Sequence, residues 1–217
     1  GAVIRAGDEY RIDPARCEGC GVCHALCPAG AVAFPERRCG EWYVSDTRFG
    51  PMVHAQLFPG QENSGRLVSL LKREARALAG ELGLDTIVCD GSPGVGCPVI
   101  SSLSGATLAV AVVEPTPSGR HDFVRVADLC AHFRIPLAVL INKADLNAAE
   151  AAALAESART RGGVVVGELP FDPAVTEAMI RRRAVTETSS PLADTLATVW
   201  DRVQDMARAA EHGRKTL

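Results

Sequence analysis

The chain has 217 residues, 47% of them hydrophobic and 23% charged, with a formal net charge of −3, which bounds it as a globular chain of one domain plus a small module and gives no basic surface for nucleic acid. No uninterrupted apolar run reaches the length of a membrane span and no signal-peptide pattern opens the chain, so membrane insertion is not expected. Four of the eight cysteines sit in one motif and the others are scattered at Cys39, Cys89, Cys97 and Cys130, a usage that fits a reducing cytoplasm better than a disulfide framework.

Residues 1–36 form the cysteine module. The run Cys17-Glu-Gly-Cys20-Gly-Val-Cys23-His-Ala-Leu-Cys27-Pro28 has the spacing C-x2-C-x2-C-x3-C-P, with which bacterial ferredoxins hold 4Fe–4S clusters. Short steps between thiols wrap the backbone around a cube of iron and sulfide. Zinc sites instead use two separated C-x2-C or C/H pairs. After Pro28 the chain reads Ala29-Gly30-Ala31-Val32, and it opens Gly1-Ala2-Val3-Ile4. This echo predicts a first cysteine run immediately before Gly1, as in ferredoxins of two similar halves. In such proteins the fourth cysteine of each run ligates the other cluster. Cys17, Cys20 and Cys23 are then expected on one cluster and Cys27 on a second.

Residues 41–60 predict two short strands joined at Gly50-Pro51. Over Gly65–Leu82 the apolar residues Leu67, Leu70, Leu71, Ala75, Leu78 and Leu82 recur at helical spacing, opposite Arg66, Lys72, Arg73 and Arg76. Apolar strands are predicted at 86–90, 107–113, 137–141 and 164–166. Helices are predicted at 119–133, 148–161 and from 191 to about 209. Apolar strands alternating with amphipathic helices imply an α/β fold, a parallel sheet covered on both faces.

Such sheets place ligands at the carboxyl ends of their strands. Asp90-Gly91-Ser92-Pro93-Gly94-Val95-Gly96 puts a carboxylate at the end of an apolar stretch and then glycines whose N–H groups can face a phosphate, the pattern of a Walker B residue followed by a switch loop. Asn142-Lys143-Ala144-Asp145 closes another strand. The Asn142 amide can pair with a purine edge and the Lys143 stem can cover the base. Asp145 either reads guanine or caps the following helix. Pro170 and Asp172, in Gly167-Glu-Leu-Pro170-Phe-Asp172-Pro, either border the base or form a plain strand-to-helix turn. No G-x4-G-K-S/T stretch occurs, so the phosphate loop and its lysine are expected in an absent segment before Gly1.

Together these blocks, with Gly40-Glu-Trp-Tyr-Val-Ser45, Thr47-Arg-Phe-Gly-Pro-Met-Val-His-Ala55, Pro59-Gly-Gln-Glu-Asn-Ser-Gly65 and Glu114-Pro-Thr-Pro-Ser-Gly-Arg-His-Asp122, resemble the MinD-superfamily P-loop ATPases with an inserted ferredoxin domain, relatives of Mrp-type iron–sulfur carriers and nitrogenase iron protein. Ser92 departs from the family's usual D-G-P-P-G. The resemblance implies a P-loop NTPase-type sheet lacking its P-loop strand over 37–217 and a partial ferredoxin-like 4Fe–4S module over 1–36. It also implies Asp90 on Mg2+ through water, a Gly91 and Gly94 switch loop, Asn142 and Lys143 at adenine, and a homodimer delivering electrons or clusters to an acceptor protein. The alternatives are a ferredoxin-type electron carrier without ATPase activity and, from N-K-x-D, a GTPase. The stripe Leu192, Leu196, Val199, Trp200, Val203 and Met206 on the last helix is expected to pack in the core rather than on a membrane.

Overall fold

The structure, a computed structural model, describes residues 2–14, 16–17, 19–36, 38–61 and 65–215. It divides into two compact units, Gly1–Cys89 and Asp90–Leu217. Among the described residues no helix is long and apolar enough to cross a membrane.

The first unit opens with an antiparallel hairpin of β1 (Val3–Ala6) and β2 (Glu9–Ile12). Its two-residue turn starts at Gly7, whose φ of +67° suits the turns that match strand twist. After the short helix α1 (Val22–Leu26), a second hairpin pairs β3 (Gly40–Thr47) with β4 (Gly50–Leu57). The turn falls at Arg48-Phe49, earlier than expected, and Pro51 lies inside β4 opposite Asp46. The Thr47 hydroxyl sets this register, accepting from Phe49 N–H at 3.1 Å and donating to Gly50 O at 2.7 Å. Helix α2 (Gly65–Leu82) occupies the expected span, whereas Glu62, Asn63 and the anticipated cap Ser64 lie outside the described residues.

The strand expected at 86–90 does not form. These residues are extended but pair with no described strand, and Ile87 and Val88 stay 42% and 74% exposed. An apolar, β-rich run becomes a strand only when a neighbour pairs with its N–H and C=O groups, and none among the described residues does so.

The second unit contains the parallel sheet, ordered β5 (Ala109–Val113), β6 (Leu137–Asn142), β7 (Val164–Leu169). Helices α4 (Pro117–His132) and α5 (Ala148–Thr160) fall close to their expected spans, α7 (Pro191–Lys215) runs further, and α3 (Cys97–Leu103) and α6 (Pro173–Ile180) were not legible in the pattern. Alternate residues of β6 enter opposite cores. Leu137, Val139 and Ile141 pack with Phe123, Ala127, Cys130, Leu154 and Ala158, while Ala138 and Leu140 pack with Val166, Leu192, Val199 and Val203. Most of the terminal stripe thus serves the core, as expected, although Trp200 remains 42% exposed.

A register shift interrupts the β6–β7 ladder, so Val139 faces Val165 and Leu140 faces Gly167. The skipped Val166 turns its carbonyl to Arg202 Nη1, which donates at 2.8 Å. Gly167 lies under α7 so closely that a Cβ there would stand 2.5 Å from Val199 Cγ2. Val199 is β-branched and has little rotamer freedom on a helix. Gly167→Ala is therefore expected to destabilise the second unit by about 1–3 kcal/mol, measured by denaturant unfolding at Trp200 in a Trp42→Phe background; an unchanged midpoint contradicts this contact.

Candidate functional site

The cysteine run is built around glycines that only a left-handed backbone satisfies. Gly19 has φ +63°, and Gly21, with φ +74°, forms the N-cap of α1. Cys23 lies in α1 and Cys27 leaves it in an extended conformation. Cys17 and Cys20 are exposed, Cys23 and Cys27 half-buried, and all four are free thiols. The backbone N–H groups of Ala31 and then Ala29, with smaller contributions from Val32 and Gly30, hold the Cys27 thiol below its ordinary pKa despite some opposing desolvation. A thiol surrounded by amide donors is prepared to act as a thiolate, the form that ligates iron.

Among the described residues no three His, Cys, Asp or Glu side chains are gathered tightly enough to hold a metal ion. Ligation by closely spaced thiols of this kind restrains the loop that carries them. The soft, closely spaced donor set and the amides aimed at Cys27 fit an iron–sulfur cluster.

In the second unit, the carboxyl edge of the sheet draws three loops together. Glu114 follows β5, and its Oε1 accepts from Lys143 Nζ at 2.6 Å across to the end of β6. Lys143 itself takes a left-handed conformation, φ 56°. Asp145 Oδ1 accepts from Phe171 N–H at 2.6 Å, which fastens the loop after β6 to the loop after β7. Asp145 is thus not the cap of the following helix. The cap of α5 is Asn147, which accepts from Glu150 N–H at 3.1 Å. Asp172 caps α6, accepting from Ala174 N–H at 2.8 Å and from the Ser190 hydroxyl at 3.0 Å, and Pro170 is exposed beside it. Asn142 is half-buried, and its amide has no hydrogen-bond partner among the described residues.

Asp90 and Gly91 are exposed and belong to no strand or helix, and Gly94 turns with φ +82°. Glu114 was given no role by the sequence pattern. The usable signal was the following Pro-Thr-Pro-Ser-Gly, because a Cβ at Gly119 would stand 2.4 Å from Glu114 O, so only glycine permits this turn. His24 was also passed over, because a single histidine among cysteines carries no spacing signal.

The 4Fe-4S binding domain family matches residues 10–33, which contain the whole cysteine run. Two uncharacterized proteins of Methanocaldococcus jannaschii are similar to the chain. One is 26% identical over 197 residues, covering 91% of this chain and 66% of the relative, and the other is 23% identical over 143 residues, covering 66% and 51%. The chain thus spans about two thirds and about half of these relatives' lengths. No solved structure matches it significantly. With the spacing of its four cysteines, the family match identifies a ferredoxin-type, iron–sulfur-binding segment.

Thiol labelling tests this assignment. After anaerobic reconstitution Cys17, Cys20 and Cys23 are expected to be protected from alkylation while the exposed Cys89 and Cys97 react. Cys130, 1% exposed and with its thiol pKa raised by burial, is expected to label only after unfolding. Mass-spectrometric mapping checks each site, and protection of Cys89 in place of Cys17 contradicts the assignment.

Proposed function

We propose that residues 1–217 belong to an iron–sulfur protein in which ATP binding and hydrolysis change how its clusters meet an acceptor protein, the full protein acting as a homodimer. A bound cluster supplies one-electron chemistry through the Cys17–Cys27 segment. The observation that carries the nucleotide part is the Asn142 amide, without a hydrogen-bond partner among the described residues, at the carboxyl edge of a parallel sheet, between loops tied together by Lys143–Glu114 and Asp145–Phe171. An amide offers both a donor and an acceptor, as an adenine edge requires. Asp145 Oδ1 already accepts from Phe171 N–H, so the two donors of guanine would have to share that oxygen, which favours ATP over GTP.

In this reading Asp90 holds Mg2+ through water, and the Gly91 and Gly94 backbone forms the segment that responds to the terminal phosphate. Pro170 and Asp172 border the base through backbone groups, since the Asp172 carboxylate is occupied. The phosphate loop comes from polypeptide outside these residues. Among the described residues β5 is an edge of the sheet, and its unpaired backbone side leaves room for a further strand. A plain electron carrier is the second reading, favoured by a family match confined to residues 10–33.

Titration of the full-length protein with a fluorescent ATP analogue separates the two. ATP is expected to bind more tightly than GTP, and Asn142→Ala to weaken ATP about tenfold, the loss of roughly 1.4 kcal/mol of hydrogen bonding. Absence of any nucleotide binding leaves the electron carrier. Residues 1–217 alone are expected to show no magnesium-dependent ATP hydrolysis and to take up at most one cluster, judged by phosphate release and by iron content with EPR.

A further inference from the structure

The cysteine run contains a side chain that sequence spacing gives no reason to notice. His24 stands immediately after Cys23 in α1, and its Nδ1 lies 2.5 Å from Val32 O, eight residues along the chain. A carbonyl only accepts, so Nδ1 carries the proton and donates. The same ring stacks on Phe34, with centroids 5.8 Å apart and planes inclined by 22°. Phe34 in turn lies against Gly21, where an added Cβ would stand 3.3 Å from Cε1 of the ring. These contacts close residues 21–24 onto residues 32–34, and the segment they enclose contains Cys27 and the amides of 29–32.

This clasp is not explained by a hydrophobic core. His24 is exposed and Phe34 is 50% exposed. Between them the chain turns at Gly30, φ +60°, whose N–H donates to Cys27 O at 3.1 Å. Without a brace, a turn this exposed frays, and its amides lose their direction.

We propose that His24 is a positioning residue for the cluster: its ring pins the segment after Cys27 to α1, so that the turn over residues 29–32 keeps the Ala29 and Ala31 amides beside the Cys27 sulfur. The inference rests on cluster ligation by this run. Amide hydrogen bonds to ligating sulfur stabilise the more negative, reduced cluster and so raise its potential. The backbone donors around Cys27 are already in place in the structure, and His24 supplies their support.

The test uses His24→Phe, which keeps a stacking ring without the donor, and His24→Leu, which removes both, with Arg5→Ala as an exposed control. In the metal-free chain at one fixed pH, amide hydrogen exchange at residues 29–32 is expected to quicken about fivefold in His24→Leu, the loss of about 1 kcal/mol, and less in His24→Phe. In the reconstituted full-length protein the midpoint potential is expected to move negative in the same order, and Arg5→Ala to change neither readout. Unchanged exchange in His24→Leu overturns the brace. Faster exchange with an unchanged potential overturns its link to the cluster. A wild-type protein that takes up no cluster overturns the iron–sulfur reading and the proposal with it, an outcome distinct from the other two.

Discussion

The central strand of the parallel sheet must bury both of its faces, and the chemistry of the second unit depends on that requirement. Parallel strands need crossovers, crossovers place helices on both faces, and the strand between them becomes apolar throughout. Leu137–Ile141 meets this demand with five consecutive apolar residues divided between two cores. Polar residues are thereby displaced to the strand's end, where Asn142 closes β6 and Lys143 pairs with Glu114 from the loop after the neighbouring strand. The register shift opposite Val139 and Leu140 is a local cost of the same packing. It lets Val166 and Gly167 both face α7, with Arg202 satisfying the released carbonyl.

The first unit is organised by a different constraint. Among its described residues only Ala79 is a buried hydrophobic, at 9% exposure. Two-stranded hairpins and a five-residue helix are marginal without a core or a staple. Metal ligation is one such staple, because free energy of binding shared with the ordering of a loop is also free energy of folding. The left-handed Gly19 and Gly21 and the amides around Cys27 narrow the loop's conformations beforehand, so less entropy remains to be lost on ligation.

Much of this was legible in the sequence, and the reason is periodicity. Helix α2 and the apolar cores of β5, β6 and β7 announce themselves through spacing, and the cysteine run through steps too regular for scattered thiols. What escaped depends on pairing between distant segments. The 86–90 run has strand composition but no described neighbour, while the turn at Arg48-Phe49 depends on one threonine hydroxyl rather than on Gly50-Pro51. The Lys143–Glu114 and Asp145–Phe171 bonds join residues 29 and 26 positions apart, and no local pattern encodes them.

Those two bonds differ in strength, and the difference bears on how the carboxyl edge can accept a ligand. Lys143 and Glu114 have side chains 34% and 48% exposed, so water screens their attraction and the pair contributes about 0–1 kcal/mol. A ligand can displace it at little cost. Asp145 receives a backbone N–H at 2.6 Å, a charge-assisted bond within a loop that is also held by the Asp172 cap. Displacing Asp145 therefore disturbs two loops together. The edge thus has a fixed side around Asp145 and Phe171 and a yielding side at Lys143, with the Asn142 amide, unpartnered among the described residues, between them. That asymmetry makes the Lys143–Glu114 pair the part of the edge that yields most cheaply and the Asp145–Phe171 bond the part that holds its shape.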